Sequence, residues 1–200
     1  MFPSTGTIFA APFTDAVLWQ EQVTKAAFWQ NTDFFGLDIS CLADAACDDH
    51  FAQPVVGYVD AASLLSSARA TRVVDFERDA PESLHDMELA LDFPADKTGL
   101  CHGLALWFDV LFDGATVKHV LSTAPTEPAT HWYQCRLLLR EPIAVNARQR
   151  LTGTLRMQAN ARYSYNLTLT LGLAGAAADD GSPIASTTRF HLQDQQYSYR

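Results

Sequence analysis

The second half of this chain alternates with period two, and that restricts it to β structure. Leu151, Leu155, Met157 and Ala159 alternate with Thr152, Thr154, Arg156 and Gln158. Tyr165, Leu167, Leu169, Leu171 and Leu173 alternate with Asn166, Thr168, Thr170 and Gly172. In HGLALWFDVLF at 102–112, Leu104, Leu106, Phe108, Val110 and Phe112 share one face. Successive side chains of a strand point to opposite faces, so each run predicts a strand with one buried face. Shorter strands are expected at 6–11, 71–76, 87–93, 117–122, 132–140 and 187–192. Asp113-Gly114, Glu141-Pro142 and Gly181-Ser182-Pro183 punctuate them, and AGAAADDGSPIAS at 174–186 reads as a flexible loop. Many short strands with turn signals predict one mainly β domain, an antiparallel barrel or sandwich.

One stretch departs from this pattern. DAVLWQEQVTKAAFWQ at 15–30 has helical spacing, with Trp19, Val23 and Ala26 on one stripe that Val17, Leu18, Ala27 and Phe28 widen. Thr14 is the expected N-cap, with Asp15 favourable in the first turn. A second short helix is expected at about 42–51, so 15–53 reads as a helical insertion after the first strand. Its aromatic load is high: Trp19, Phe28, Trp29, Phe34 and Phe35. These rings either pack locally as core or make the insertion an arm that buries them against another protein surface.

Composition excludes several function classes. Of the 200 residues, 48% are hydrophobic and 18% charged, which suits a packed core rather than disorder. The formal net charge of -9 argues against direct nucleic-acid binding, which needs clustered Lys and Arg. An acidic surface can attract a basic ligand such as an arginine-rich peptide, but mild acidity is common among soluble intracellular proteins, and on charge alone that is the stronger reading. Cys41, Cys47, Cys101 and Cys135 form no C-x-x-C pair, so no zinc site is expected and free thiols are the simplest reading. No secretory signal and no run of about 18 apolar residues is present, so no membrane span is expected.

The usual catalytic motifs are missing: no G-x-G-x-x-G, no Walker loop and no G-x-S-x-G elbow. His131 has the most unusual setting of the six histidines. It lies in STAPTEPATHWYQ at 122–134, where Pro125 and Pro128 stiffen a loop running into an apolar strand. There it can act as acid or base, as an electrostatic partner, or as a structural hydrogen bonder. Asp109, among apolar neighbours, reads as a rim residue or the partner of an arginine.

These segments resemble the barrel of the coactivator-associated protein arginine methyltransferases. The resemblance rests on Thr130-His131-Trp132, which matches that family's THW loop. It also rests on HGLALWFDVLFDG, MFP at 1–3, APFTD at 11–15, EQVTKAAFWQ at 21–30, FGLDIS at 35–40 and QPVV at 53–56, in order along the chain. Tyr197 and Tyr199 resemble the aromatic end of the barrel. The resemblance implies a C-terminal barrel domain over 1–200 with a helical dimerisation arm at about 15–53. The full enzyme would carry an S-adenosylmethionine-binding domain whose two glutamates hold the guanidinium in line with the donor sulfonium.

In the resembled family the THW histidine pairs with an acidic residue of the other domain. Carried over, His131 is an electrostatic and proton-relay residue, Trp132 shapes the pocket wall, and Thr130 and Tyr133 support substrate binding. Trp19, Val23, Phe28, Trp29, Phe34 and Phe35 belong to the arm that makes the homodimer. Arginine-bearing proteins such as histones are the implied substrates, and nucleus and cytoplasm the implied compartments. No methyl-donor loop and no double-glutamate loop occur in these residues, so no cofactor is expected on this chain alone and it reads as a domain of a longer enzyme. The competing readings are a stand-alone, inactive barrel that binds or scaffolds other proteins, and an unrelated lectin-like sandwich.

Overall fold

A computed structural model describes residues 1–179 and 181–198. The strands are β1 (Thr5–Phe13), β2 (Val55–Gly57), β3 (Ala70–Asp75), β4 (Asp86–Pro94), β5 (Gly99–Asp113), β6 (Lys118–Ser122), β7 (Gln134–Val145), β8 (Arg150–Ala159), β9 (Tyr165–Ala177), β10 (Pro183–His191) and β11 (Gln196–Tyr197). Two α-helices, α1 (Ala16–Ala27) and α2 (Ala43–Phe51), fall between β1 and β2. The strands form two sheets. One runs β11-β2-β7-β5-β1-β3 with β6 also paired to β5; the other runs β10-β9-β8-β4. Every described pairing is antiparallel except β11 on β2. The fold is thus the mainly β, two-layered class that the alternation predicts.

The main core lies between the sheets. Met87, Leu89, Leu91 and Phe93 of β4 meet Leu151, Leu155 and Met157 of β8 and Leu167, Leu169 and Leu171 of β9, facing Ala10, Leu104, Leu137 and Leu139 from the first sheet. Strand β4 alternates buried and exposed along its whole length, as a half-buried strand must. Gly153 lets β8 lie close on β9, because a Cβ there would sit 1.9 Å from the Thr170 carbonyl oxygen.

The first sheet departs from the one-face expectation. Its other face carries a second core in which Ala11, Phe13, Ala105, Trp107 and Leu138 pack with Leu18 of α1, Phe51 of α2, Val55 and Val59. In β5, therefore, Leu104 faces one core and Ala105 and Trp107 the other, so both parities are apolar. The helices cover what would otherwise be an exposed sheet face.

Several local expectations are corrected. The N-cap of α1 is Asp15 rather than Thr14: its carboxylate accepts the Leu18 N–H at 2.9 Å. The helix buries Leu18, Gln22 and Ala26, with Trp19 and Val23 beside them, while Val17 and Phe28 face solvent, so the stripe is rotated from the one read in the sequence. Glu141-Pro142 does not end a strand. β7 runs on to Val145, and the surplus residues sit in an irregularity opposite Cys101–Gly103, where pairing shifts register. The 174–186 segment is mostly hairpin, with β9 extending to Ala177 and β10 starting at Pro183. Among the described residues Asp109 pairs with no arginine; it accepts from the Ser122 hydroxyl at 2.5 Å. Tyr197 lies in β11, half exposed, and Tyr199 lies outside the described residues.

Candidate functional site: an aromatic lip and a helical arm

The loop joining β6 to β7 is fixed from both ends. At its start Thr123 is locked onto β5: its N–H and hydroxyl both donate to the Phe108 carbonyl, at 3.0 and 2.8 Å, and its Oγ1 accepts the Phe108 N–H at 3.0 Å. At its end the buried Gln134 side chain donates to the Thr123 carbonyl at 2.8 Å and accepts the Val59 N–H at 2.8 Å. Within the loop the Thr130 hydroxyl donates to the Trp132 carbonyl at 3.0 Å and accepts the Trp132 N–H at 3.2 Å. Such a side-chain turn is a common use of threonine outside regular structure.

This frame holds four side chains at the surface. Trp132 is 49% exposed and lies edge-on to Phe108, with ring centres 6.1 Å apart. The exposed His131 ring sits edge-on to Trp132 at 6.0 Å. Tyr133 packs edge-on against Tyr58 at 4.7 Å. The structure thus brings Thr130, His131, Trp132 and Tyr133 together as one lip. It adds Phe108, which sequence reading placed only on a strand face, and Tyr58, which no sequence signal singled out. Edge-to-face packing at these separations favours defined ring orientations.

Beside Tyr58 opens a cavity of about 320 Å³ lined by Asp15, Asp60 and Arg136 among others. The Arg136 guanidinium is buried and sits 3.6 Å from the Asp15 carboxylate. Burial lowers the Arg136 pKa, and the Asp15 charge opposes that shift. His102 lies behind this corner. Its Nδ1 accepts the Asp15 N–H at 3.1 Å and lies 3.3 Å from the Thr14 hydroxyl. Burial depresses the His102 pKa, against the raising effect of Asp15 and of the Leu100 backbone.

The arm residues divide into two groups. Trp19 and Val23 pack inward on the second core. The Trp19 indole N–H donates to the Leu139 carbonyl at 3.0 Å, and its ring lies 6.2 Å from Phe51 and from His102. Arg140 of β7 bonds Asp44 and Asp48 and ties α2 to the sheet. The distal rings form a chain of edge-to-face contacts from Trp29 to Phe28 at 5.6 Å, Phe28 to Phe34 at 5.5 Å and Phe34 to Phe35 at 4.8 Å. That chain faces outward: Phe28 is 52% and Phe35 93% exposed, with Leu37 beside them.

The chain is a two-sheet, mainly β domain with a helical insertion after its first strand and an aromatic loop at its surface. The family is specific: residues 4–175 match the model of the arginine methyltransferase oligomerization subdomain, and the chain belongs to that family. It is 42% identical over 200 residues to the probable histone-arginine methyltransferase CARM1 of Oryza sativa subsp. indica, covering 98% of this chain and 38% of that protein. It is 39% identical over 199 residues to the histone-arginine methyltransferase CARMER of Drosophila ananassae, covering 36% of that protein. The chain therefore spans little more than a third of the length of these relatives.

Solved structures agree on the fold. The Trypanosoma brucei PRMT1 enzyme–prozyme heterotetramer with AdoHcy matches with a TM-score of 0.70 at 25% identity, over 96% of this chain and 57% of that one. Arabidopsis thaliana protein arginine methyltransferase 10 matches with a TM-score of 0.75 at 17% identity, over 96% and 61%.

Proposed function

We propose that this chain is the barrel half of a protein arginine N-methyltransferase acting on histones, closing the substrate-arginine slot with its Thr130–Tyr133 lip and dimerising through its arm. The methyl donor and the carboxylates that grip the guanidinium belong, in this reading, to a second domain. Trp132 supplies an apolar wall and π face suited to a flat cation. The His131 imidazole, held beside that wall, supplies a charge partner and proton relay for the opposing domain. Thr130 fixes the backbone turn beneath Trp132, and Tyr133 offers a hydroxyl to the peptide. Histone substrates place its action in the nucleus, with the cytoplasm as a second compartment.

The observation that carries this reading is the lip itself. Four functional groups stand at the surface on a loop pinned at both ends, and among the described residues His131 has only its Trp132 ring contact. The relatives support it, since their names describe histone-arginine methyltransferases.

The test is histone methylation by the chain alone and by the chain joined to a methyl-donor domain of the family. Turnover is expected only in the joined protein. There His131→Ala should lower the rate about tenfold or more. Turnover by the chain alone, or a joined protein indifferent to His131→Ala, would rule the reading out.

A further inference from the structure

We infer that Gln134 is the positioning residue of the lip, acting through the backbone rather than by touching substrate. It follows Tyr133 directly and is 5% exposed. Its amide spends both of its functions on loop backbone: Nε2–H goes to the Thr123 carbonyl and Oε1 takes the Val59 N–H, each at 2.8 Å. Thr123 opens the loop and Gln134 closes it, so one side chain sets the separation of the loop's two ends. An Ω-like loop with its ends fastened in this way has few ways to relax.

The same two contacts reach both rings that prop the lip. Thr123 is bonded to Phe108, whose ring supports Trp132. Val59 adjoins Tyr58, whose ring supports Tyr133. Gln134 therefore registers the Trp132 side and the Tyr133 side against each other. A carboxylate at this position could take the Val59 N–H but could not donate to Thr123. An apolar side chain of similar shape could do neither and would leave a buried donor and acceptor unmatched.

This inference rests on the lip being the working part of the site. Its test is made on the chain alone, without donor or histone, so its outcome is separate from that of the methylation assay. Amide exchange is followed at 124–133 and, as a stability reference, in β8 and β9. In Gln134→Met the lip amides should exchange roughly tenfold to a hundredfold faster, beyond any change in β8 and β9.

Because Gln134→Met could lose the fold, Gln134→Glu provides the second reading. It should show the loosened lip at pH 8 and recover protection as pH falls and the buried carboxyl, now neutral, donates to Thr123 again. Lip exchange that rises only in step with β8 and β9, or a Gln134→Glu lip with no recovery in acid, would overturn the assignment.

Discussion

The indole N–H of Trp19 donates to the carbonyl oxygen of Leu139 at 3.0 Å and so fastens the helical arm to the strand that leaves the lip. Leu139 is fully buried and its carbonyl lies where β7 breaks register with β5. Trp19→Phe keeps much of the ring packing on Phe51 but leaves that oxygen without this donor. The expected loss is about 1–2 kcal/mol of unfolding free energy, read by urea denaturation. Faster amide exchange in α1 and α2 than in β9 would locate the loss in the arm.

His102 makes the arm's attachment sensitive to acid. Its Nδ1 must be unprotonated to accept the Asp15 N–H. Burial holds its folded pKa below the ordinary imidazole value of about 6.5. Between those two values the unfolded chain binds a proton that the folded chain does not. Stability therefore falls as pH drops from about 6.5 to the depressed value, and stays level with respect to this group outside that window. His102→Gln retains an acceptor and does not titrate. Unfolding at pH 7.5 and 5.5 should show a smaller acid loss in the variant than in the parent; equal losses would mean that His102 is not the group responsible.

The strands were legible where one parity of side chain is buried, as in β4, β8 and β9, because alternation is a direct imprint of a half-covered sheet. Val55–Gly57 and Gln196–Tyr197 were not, being too short to show a period. Pro142 misled because proline commonly ends strands, yet here it sits in the irregular part of β7. The lip residues were readable from their motif, while what holds them was not. Gln134 meets Val59 across 75 positions and His102 meets Asp15 across 87, and no local pattern encodes a buried hydrogen bond of that span. Tyr58 stood outside any motif and is identified only by its contact with Tyr133.

The four thiols should react in a fixed order. Cys41 is exposed on the arm, and Cys47 is partly buried on α2. Burial pushes the thiols of Cys101 and Cys135 up to about 12. At pH 8 the thiolate fraction of such a group is on the order of one in ten thousand, and thiolate is the reactive form. Iodoacetamide followed by peptide mass analysis should label Cys41 first and Cys101 only once urea has unfolded the chain, with the partly buried Cys135 reacting after Cys41 and before Cys101. Early labelling of Cys101 in the folded chain would contradict its place in the core between the sheets.

The arm's outward rings give the last prediction. Phe35 is 93% exposed with a left-handed φ of 50°, a conformation that a bulky side chain adopts at a cost and glycine adopts freely. A ring kept there contributes little to the monomer's core, which suits a contact made with another surface. On the proposed dimerising role of the arm, Phe35→Gly should weaken self-association, and Phe28→Ser combined with it should weaken it further. Thermal stability should change little for Phe35→Gly, because relief of the left-handed φ offsets the greater freedom glycine gives the unfolded chain. Sedimentation equilibrium over a concentration series reads the association and thermal unfolding reads the fold. If association is untouched by both changes, the Trp29–Phe28–Phe34–Phe35 chain is not where subunits meet. If stability collapses instead, those rings belong to the fold and not to its partner.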